Sequence, residues 1–590
     1  MKSLPFFASA ALTCLAQAAP TVAVYDLGPG ISESGMADSM SLFSPQIDAS
    51  RPLTFHDIST SLAKAAKDPE LRAVVVDADD AGLGLPQILE VRRHLLALRK
   101  AGKDVWVYSD HFNPKSALLG SAANHFMLMP EADSDFAGLS SESMYFKGLL
   151  DKVGVQADVI HIGDFKSFGE EFYRTGPSEF AEKQQTELID RIFQVLHRSV
   201  AEGRGVDEAE VLRLINQGTF TAAEAEEAGL VDGLAYRTDF NRRVRETYAE
   251  AEFDDNYQLP DRDGPEIKGL LDLVKLFMNA GTDPQADSEY VAVVVLEGGI
   301  SDETVAPVRE AILKLLKDEK AKALVLRVDS PGGSALASEV LWEVTDEWKA
   351  SGRPFAVSMG GVAASGGYYV SAAADRIFAE EGTVTGSIGV VGMKLVTAGA
   401  MEKLGITTHR IERGEHADAM SMTKPFTPEE SELVRKSMLA VYGTFKKRII
   451  DGRGDRLKGE LEGMAGGRVY TGVKALELGL VDELGGLAEA IAWAGERAGL
   501  AEPISRLRPE PKSMLEGLFA TPEKSDDDEL VKIQVAPHSA TEAIRGAFRE
   551  AGISALPESA RESVSRALQR LDGISESRIQ LIGPDFKLEW

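Results

Sequence analysis

One lysine and one serine in this sequence each occupy a repeat position where the other copy has lost the residue. A spacing of 251 residues aligns the two halves of the chain and puts Lys166 on Ala417. The same spacing puts Ser365 on Pro114. A serine hydroxyl activated by a lysine amine is an arrangement for nucleophilic attack on a carbonyl group. A repeat that divides the two groups predicts a working site between the halves.

Ser365 lies where a nucleophile is well placed. It follows a predicted strand, Pro354–Ser358, and a glycine turn, Gly360-Gly361, and it precedes a predicted helix. Free backbone N–H groups at such a junction favour developing negative charge. The competing interpretation is a serine that only caps the helix.

A second motif upstream argues against a simple cap. The sequence Asp329-Ser-Pro-Gly-Gly-Ser334 directly follows the predicted strand Ala323–Val328. Glycine lets backbone N–H groups approach a substrate carbonyl closely. The amides of Gly333 and Gly366 are therefore candidates for an oxyanion hole.

The base predicted for this serine is a lysine. Histidine is the customary base, but none of the nine histidines holds a position that the repeat singles out, and His416 is one residue away from the aligned position. Lys166 lies between a strand-like segment, Ala157–Ile162, and an aromatic-rich segment, Phe165–Tyr173. Burial there would have to lower the pKa of the amine from about 10.4 by several units. The competing interpretation is a solvated surface lysine.

Ser387 is a third candidate. It lies in Thr385-Gly-Ser-Ile-Gly-Val390, 22 residues after Ser365. Its hydroxyl is suited to orienting the lysine amine, as a third group orients the base in other triads. A structural turn serine is the alternative.

The elements around these residues repeat as well. Short apolar runs such as Leu71–Val76 and Ala321–Leu326 read as buried parallel strands, and helical periodicity covers Pro86–Lys100 and Ala335–Trp348. Strand and helix in alternation predict an α/β fold of repeated βαβ units. The predicted divisions are an N-terminal repeat with the lysine, a linker containing an apolar helical stretch, a C-terminal repeat with the serine, and an extension with a late helix and a final strand; they cover 20–253, 254–289 (helical stretch 267–278), 290–500 and 501–590 (helix 540–571, strand 578–590).

Composition limits the functional classes. The chain has 590 residues and a formal net charge of -29, which excludes a nucleic-acid partner because phosphate binding needs clustered Lys and Arg. Residues 1–18 read as a secretory signal ending in Ala16-Gln-Ala18, so we expect export. The only cysteine, Cys14, lies in that segment, so no cysteine nucleophile, disulfide or cysteine metal site is expected after cleavage. No metal or cofactor is expected.

Four motifs together carry a family resemblance. They are Asp329-Ser-Pro-Gly-Gly333, Ala364-Ser-Gly-Gly-Tyr-Tyr369, Thr385-Gly-Ser-Ile-Gly-Val390 and Gly163-Asp-Phe-Lys-Ser167. Over residues 20 to 500 the chain resembles the signal peptide peptidase A, or protease IV, family in its long double-domain form. The resemblance implies two tandem crotonase/Clp-protease-like α/β domains, and a homotetramer in the periplasm or at the periplasmic face of the inner membrane. It also implies degradation of cleaved signal peptides and similar apolar peptides.

The resemblance also assigns roles to single residues. It implies Ser365 as nucleophile, Lys166 as general base and Ser387 as the hydroxyl that orients the lysine. The glycines Gly332, Gly333 and Gly366 would form the oxyanion region.

Two other functions stay open from sequence. A catalytically inactive, peptide-binding assembly scaffold would use the same fold, because function depends on the site. Acyl transfer on a thioester would need a basic coenzyme A pocket, and the sequence has no such cluster. Ser-x-x-Lys motifs at Ser61 and Ser421 lack the elements that accompany them in penicillin-binding enzymes.

Overall fold

The structure is a computed structural model that describes residues 19–35, 52–260 and 288–510, together with the backbone of 580–582. The predicted leader, 1–18, lies outside the described residues. So do the apolar stretch at 267–278, the helical segment at 540–571 and most of the predicted final strand.

The first half forms a six-stranded parallel sheet in the order β6-β4-β3-β2-β1-β7. Runs rich in Val, Ile and Leu form its centre because both faces are covered by helices. A further strand, β5, leaves this sheet and pairs with the second half. The strands are β1 Thr21–Asp26, β2 Leu71–Asp77, β3 Asp104–Phe112, β4 His125–Ser134, β5 Gln156–Ile162, β6 Gly233–Leu234 and β7 Glu252–Asp254.

Helices connect these strands as the alternating pattern predicts. The helix predicted at Pro86–Lys100 spans Leu85–Lys100, with Pro86 in its first turn, where a missing N–H is tolerated. The helices of the first half are α1 Phe55–Ala65, α2 Leu85–Lys100, α3 Pro114–Ser121, α4 Lys147–Val153, α5 Glu170–Tyr173, α6 Glu179–Arg204, α7 Glu208–Gln217, α8 Ala222–Glu227 and α9 Arg237–Thr247.

The second half repeats this plan. Its main sheet has the order β15-β13-β11-β9-β8-β17, and β12 joins both β11 and β16 at its side. The strands are β8 Tyr290–Glu297, β9 Ala321–Ser330, β10 Gly332–Ser334, β11 Phe355–Ala364, β12 Arg376–Ala379, β13 Val384–Gly386, β14 Val390–Val396, β15 Val469–Thr471, β16 Glu483–Leu484, β17 Ile504–Arg508 and β18 Gln580–Ile582.

Its helices follow the same order as those of the first half, with a short 3-10 turn at Gly454–Arg456. They are α10 Asp302–Lys317, α11 Ala335–Ala350, α12 Gly366–Ser371, α13 Ala398–Lys403, α14 Pro428–Arg453, α15 Leu461–Met464, α16 Gly472–Leu478 and α17 Leu487–Arg497. The tandem α/β architecture predicted from sequence is confirmed.

A third sheet joins the halves, in the order β10-β18-β14-β5. Within it β5 of the first half runs antiparallel to β14 of the second, from Ile162 opposite Val390 to Gln156 opposite Val396. Ile160 and Ile162 thereby enter the apolar core of the second half. This pairing holds the two halves in one register and brings the segment after β5 to the segment before β14.

A buried ion pair also crosses between the halves. Both nitrogens of the Arg327 guanidinium that face Glu33 donate to its carboxylate, at 2.7 and 3.0 Å. Arg327 is 1% exposed, so the charge is compensated away from water. Removing one partner of such a pair leaves a buried charge and is strongly destabilising.

One local prediction was wrong. Gly360 and Gly361 do not end the strand before Ser365, because β11 runs through them to Ala364. The strand instead bulges between Met359 and Ala363. The carboxylate of Asp329 accepts a hydrogen bond from Val362 N–H at 3.0 Å and so satisfies the bulged backbone.

Candidate active site

Ser365 sits at the junction between β11 and α12 in a conformation rare for a residue with a side chain. Its φ is +54°. A non-glycine residue in such a region stores about 1–3 kcal/mol of strain, which the surrounding structure must hold. Here the Ser365 N–H donates to Gly386 O at 2.8 Å, and Tyr369 N–H donates to Ser365 O at 2.8 Å. The backbone on both sides of the serine is therefore fixed.

The structure brings Lys166 to this serine across the two halves. The distance from Lys166 Nζ to Ser365 Oγ is 2.7 Å. Lys166 Nζ also donates to the carbonyl oxygen and to the hydroxyl of Ser387, each at 3.0 Å. The three side chains that the sequence singled out for chemistry thus meet in one place, although they are up to 221 residues apart.

Glycines on both sides let the lysine segment enter the second half. Gly163 has φ +108°, and a side chain there would overlap the backbone of Gly466. Gly467 has φ +86°, and a Cβ on it would lie 2.4 Å from the backbone nitrogen of Lys166. Phe165 N–H donates to Gly466 O at 3.0 Å. The Gly466-Gly467 pair was missed from sequence, and its only signal was the repeated glycine.

Burial sets the electrostatics of the amine. Lys166 is 2% exposed. Loss of solvent holds the pKa of the Lys166 amine well below its ordinary value, because the charged form is disfavoured away from water. A neutral amine can accept the proton of a neighbouring hydroxyl, which a protonated lysine cannot.

Ser387 is held in a similar strained turn. Its φ is +51°, and its N–H donates to Arg468 O at 2.6 Å. Both oxygens of Ser387 face the lysine amine, so the residue contributes its carbonyl as well as its hydroxyl. The contribution of the carbonyl was missed from sequence because it depends on backbone conformation alone.

The glycines of the predicted oxyanion region lie beside Ser365. A Cβ on Gly366 would be 3.2 Å from Gly332 Cα, and a Cβ on Gly333 would lie 2.1 Å from Ile300 O. The structure gives the Gly332 amide another partner, since it donates to Ser330 Oγ at 3.2 Å. Gly333 and Gly366 are therefore the better candidate donors, and Gly332, with φ +99°, shapes the turn.

Other candidates lie elsewhere or are absent from the described residues. His416 lies in an exposed segment beyond α13, away from the buried group. Among the residues that the structure describes, no cluster of three or more His, Cys, Asp or Glu side chains is arranged to hold a metal ion. In that same part of the chain, no helix combines the length and apolar character needed to cross a bilayer.

Comparison with known proteins is consistent with this geometry. The sequence model of peptidase family S49 matches residues 97–251 and again 347–501. The chain is 32% identical over 454 residues to the chloroplastic serine protease SPPA of Arabidopsis thaliana, covering 76% of this chain and 66% of that protein. It is 31% identical over 474 residues to Protease 4 of Salmonella typhi, covering 78% of this chain and 75% of that protein.

A shorter relative matches part of the chain. The putative signal peptide peptidase SppA of Enterococcus faecium is 36% identical over 178 residues, which cover 30% of this chain and 52% of that protein. Each family match falls in a different half of the chain, in agreement with the repeat. The chain therefore belongs to peptidase family S49, in the long form with two tandem domains, and is a serine peptidase.

Proposed function

We propose that Ser365 is the nucleophile of this peptidase and that Lys166 is its general base. The observation that carries the proposal is the 2.7 Å distance between the Lys166 amine and the Ser365 hydroxyl in a site closed to solvent. Ser387 orients the amine through its two contacts. The amides of Gly333 and Gly366 stabilise the oxyanion, and Gly332 positions them.

The reaction follows from these positions. Neutral Lys166 takes the proton of Ser365 as Oγ bonds to the peptide carbonyl carbon, and the carbonyl oxygen becomes an oxyanion. The lysine then returns that proton to the leaving amine as the carbon–nitrogen bond breaks, which leaves an acyl-enzyme. Water attacks the acyl-enzyme with the same lysine as base. This attack releases the acid and restores the serine hydroxyl.

The proposed substrates are cleaved signal peptides and similar apolar peptides outside the cytoplasm. The predicted leader favours the periplasm or the periplasmic face of the inner membrane, where such peptides are left after export. The name of the Enterococcus faecium relative points to the same class of substrate. Such peptides are extended when cleaved, which suits binding beside a short strand.

A pair of synthetic peptides tests the substrate class. We expect a twelve-residue Leu- and Ala-rich peptide to be cleaved with a kcat/KM about 10–100-fold above that of a length-matched peptide in which Asp and Lys replace the leucines, because buried methylenes contribute about 0.8 kcal/mol each. Mass spectrometry of the products gives both rates. Equal rates for the two peptides would contradict the apolar preference, and cleavage of neither would favour the inactive scaffold.

An exposed arm supports a homo-oligomer as the partner state. Residues 404–415 are exposed and outside any helix or strand. Leu404 and Ile411 are 75% and 77% exposed, although both are large and apolar. By the repeat, Ile411 corresponds to Ile160, which is buried in β5. The arm is therefore the second-half copy of a strand that needs a partner.

The repeat also indicates what covers this arm. In the first half α4 leads into β5, and Gly154 O at its end accepts a hydrogen bond from Ala400 N–H of α13 at 2.8 Å. The corresponding glycines of the next contact, Gly405 and Gly148, both have open space around them. We infer that the arm of one copy pairs with residues 139–145 of a second copy, as β5 pairs with β14. Head-to-tail contacts of this kind close into a ring, and the family resemblance suggests four copies.

Charge placed on the arm tests this assembly. We expect Ile411→Asp to shift the protein from oligomer to monomer in light scattering after size exclusion, because it puts a carboxylate into an apolar contact. Leu439→Asp is the matched control, since Leu439 is exposed on α14 outside the arm. A wild-type protein that is monomeric at micromolar concentration would contradict the assembly.

A further inference from the structure

The C-terminal strand β18 occupies the middle of the sheet that joins the two halves. It runs antiparallel to β10, with Leu581 opposite Gly333 and Ile582 opposite Gly332. On its other side Gln580 pairs with Val391 of β14. The final segment of the chain thus inserts its backbone between the candidate oxyanion strand and the strand that follows Ser387.

The strands on either side have no other free edge for a peptide. The far edge of β10 is taken by Ile300, whose carbonyl accepts a hydrogen bond from Ser334 N–H at 2.7 Å and whose N–H donates to Gly332 O at 2.9 Å. The far edge of β14 is taken by β5. The facing edges of β10 and β14 are therefore the two walls of a groove as wide as one strand, and β18 fills it.

A peptide substrate needs the same groove. Its carbonyl must reach Ser365 Oγ and the amides of Gly333 and Gly366, so its backbone must run along β10. Extended peptides commonly bind by adding a strand to an open sheet edge. One edge accepts one strand, so β18 and a substrate cannot occupy the groove together.

We propose that Gln580–Ile582 is an internal peptide that competes with substrates for the groove and lowers activity until it is displaced. This inference rests on the proposed function, because it takes the groove to be the substrate site. Covalent attachment makes the competition intramolecular, so a contact of three residues can hold the groove without high intrinsic affinity. The extension beyond the second repeat, which the catalytic mechanism leaves unused, thereby gains a regulatory role.

A proline in the strand tests this competition. Leu581→Pro removes a backbone donor and disfavours strand pairing. We expect it to lower KM for a short apolar peptide about 5-fold and to leave kcat unchanged, which is the signature of a lost competitor. Ser525→Pro, in the same extension but outside β18, is the matched control and should keep the wild-type KM. A chain that ends at Glu576 should behave like Leu581→Pro.

Addition of the tail as a separate peptide completes the test. A synthetic peptide with the sequence of residues 576–586 should inhibit Leu581→Pro competitively. If KM is the same in wild type, Leu581→Pro and the truncated chain, and the peptide does not inhibit, while a serine-directed phosphonate still labels Ser365, the tail proposal is wrong and the proposed function stands. If the phosphonate labels Ser365 in none of these proteins, the proposed function fails and the tail proposal fails with it.

Discussion

Replacing Ser365 with alanine is expected to reduce kcat for peptide hydrolysis by about 10⁶-fold, the loss typical of removing a serine peptidase nucleophile. The Ser365→Ala variant should also lose covalent labelling by a serine-directed phosphonate. Its fold should persist, because alanine keeps the backbone contacts of Ser365 with Gly386 and Tyr369. Labelling followed by mass spectrometry measures both the loss and the labelled position.

Ser371→Ala is the matched control for this variant. Ser371 is a buried serine on the helix that begins after Ser365, and its hydroxyl donates to Gly367 O. It faces neither Lys166 nor the oxyanion glycines through any contact of that hydroxyl. We expect it to be labelled at the wild-type rate. Undiminished hydrolysis by Ser365→Ala would contradict the assigned nucleophile and return the scaffold or another active serine to consideration.

Replacing Lys166 with methionine is expected to cost activity and to add stability. Methionine fills a similar volume without an ionisable group, so no base remains near Ser365 and kcat should fall by at least about 10⁴-fold. The apparent Tm should rise by a few degrees, because a buried amine no longer has to lose its proton or its solvent on folding. Peptide hydrolysis and thermal unfolding at matched pH measure the two effects.

The stability gain should depend on pH in a definite direction. Burial lowers the folded-state pKa of Lys166 below its unfolded value, so between the two values the unfolded chain binds a proton that the folded chain does not. Wild-type stability therefore rises with pH across this interval. The advantage of Lys166→Met should be larger at pH 7 than at pH 10. A variant that is less stable than wild type at pH 7 would contradict the assigned burial of an uncharged amine.

Lys394→Met controls for the loss of any buried lysine. Lys394 is 6% exposed on β14, and its amine donates to Ala419 O at 2.7 Å rather than to a catalytic group. Its removal should leave kcat within a few-fold of wild type. A comparable loss in Lys394→Met would mean that Lys166→Met acts through folding, not through the base.

The sequence was sufficient to find Lys166, Ser365 and Ser387, because a divided repeat marks positions that only a shared site would conserve within one chain. Strands and helices were also predictable, since buried runs and helical periodicity are local signals. The predicted helix Ala335–Trp348, for example, ends two residues later, at Ala350.

Long-range and backbone features were not predictable in the same way. Gly360-Gly361 looked like a turn because glycine commonly ends a strand, whereas a carboxylate 31 residues earlier, on Asp329, stabilises a bulge there. The carbonyl of Ser387 and the approach of Gly467 to Lys166 depend on positive φ values that no local pattern specifies. The pairing of β18 with β10 joins segments about 250 residues apart and has no periodic signal.

The measurement that tests the central claim most directly is the rate of Ser365 acylation by a phosphonate as a function of pH, in wild type and in Lys166→Met. If the amine of the first half deprotonates the hydroxyl of the second, the wild-type rate rises with pH through one ionisation below the ordinary lysine pKa, and the variant is slow throughout. A wild-type rate that is flat from about pH 5 to about pH 9, or a variant that reacts as fast as wild type, would contradict it.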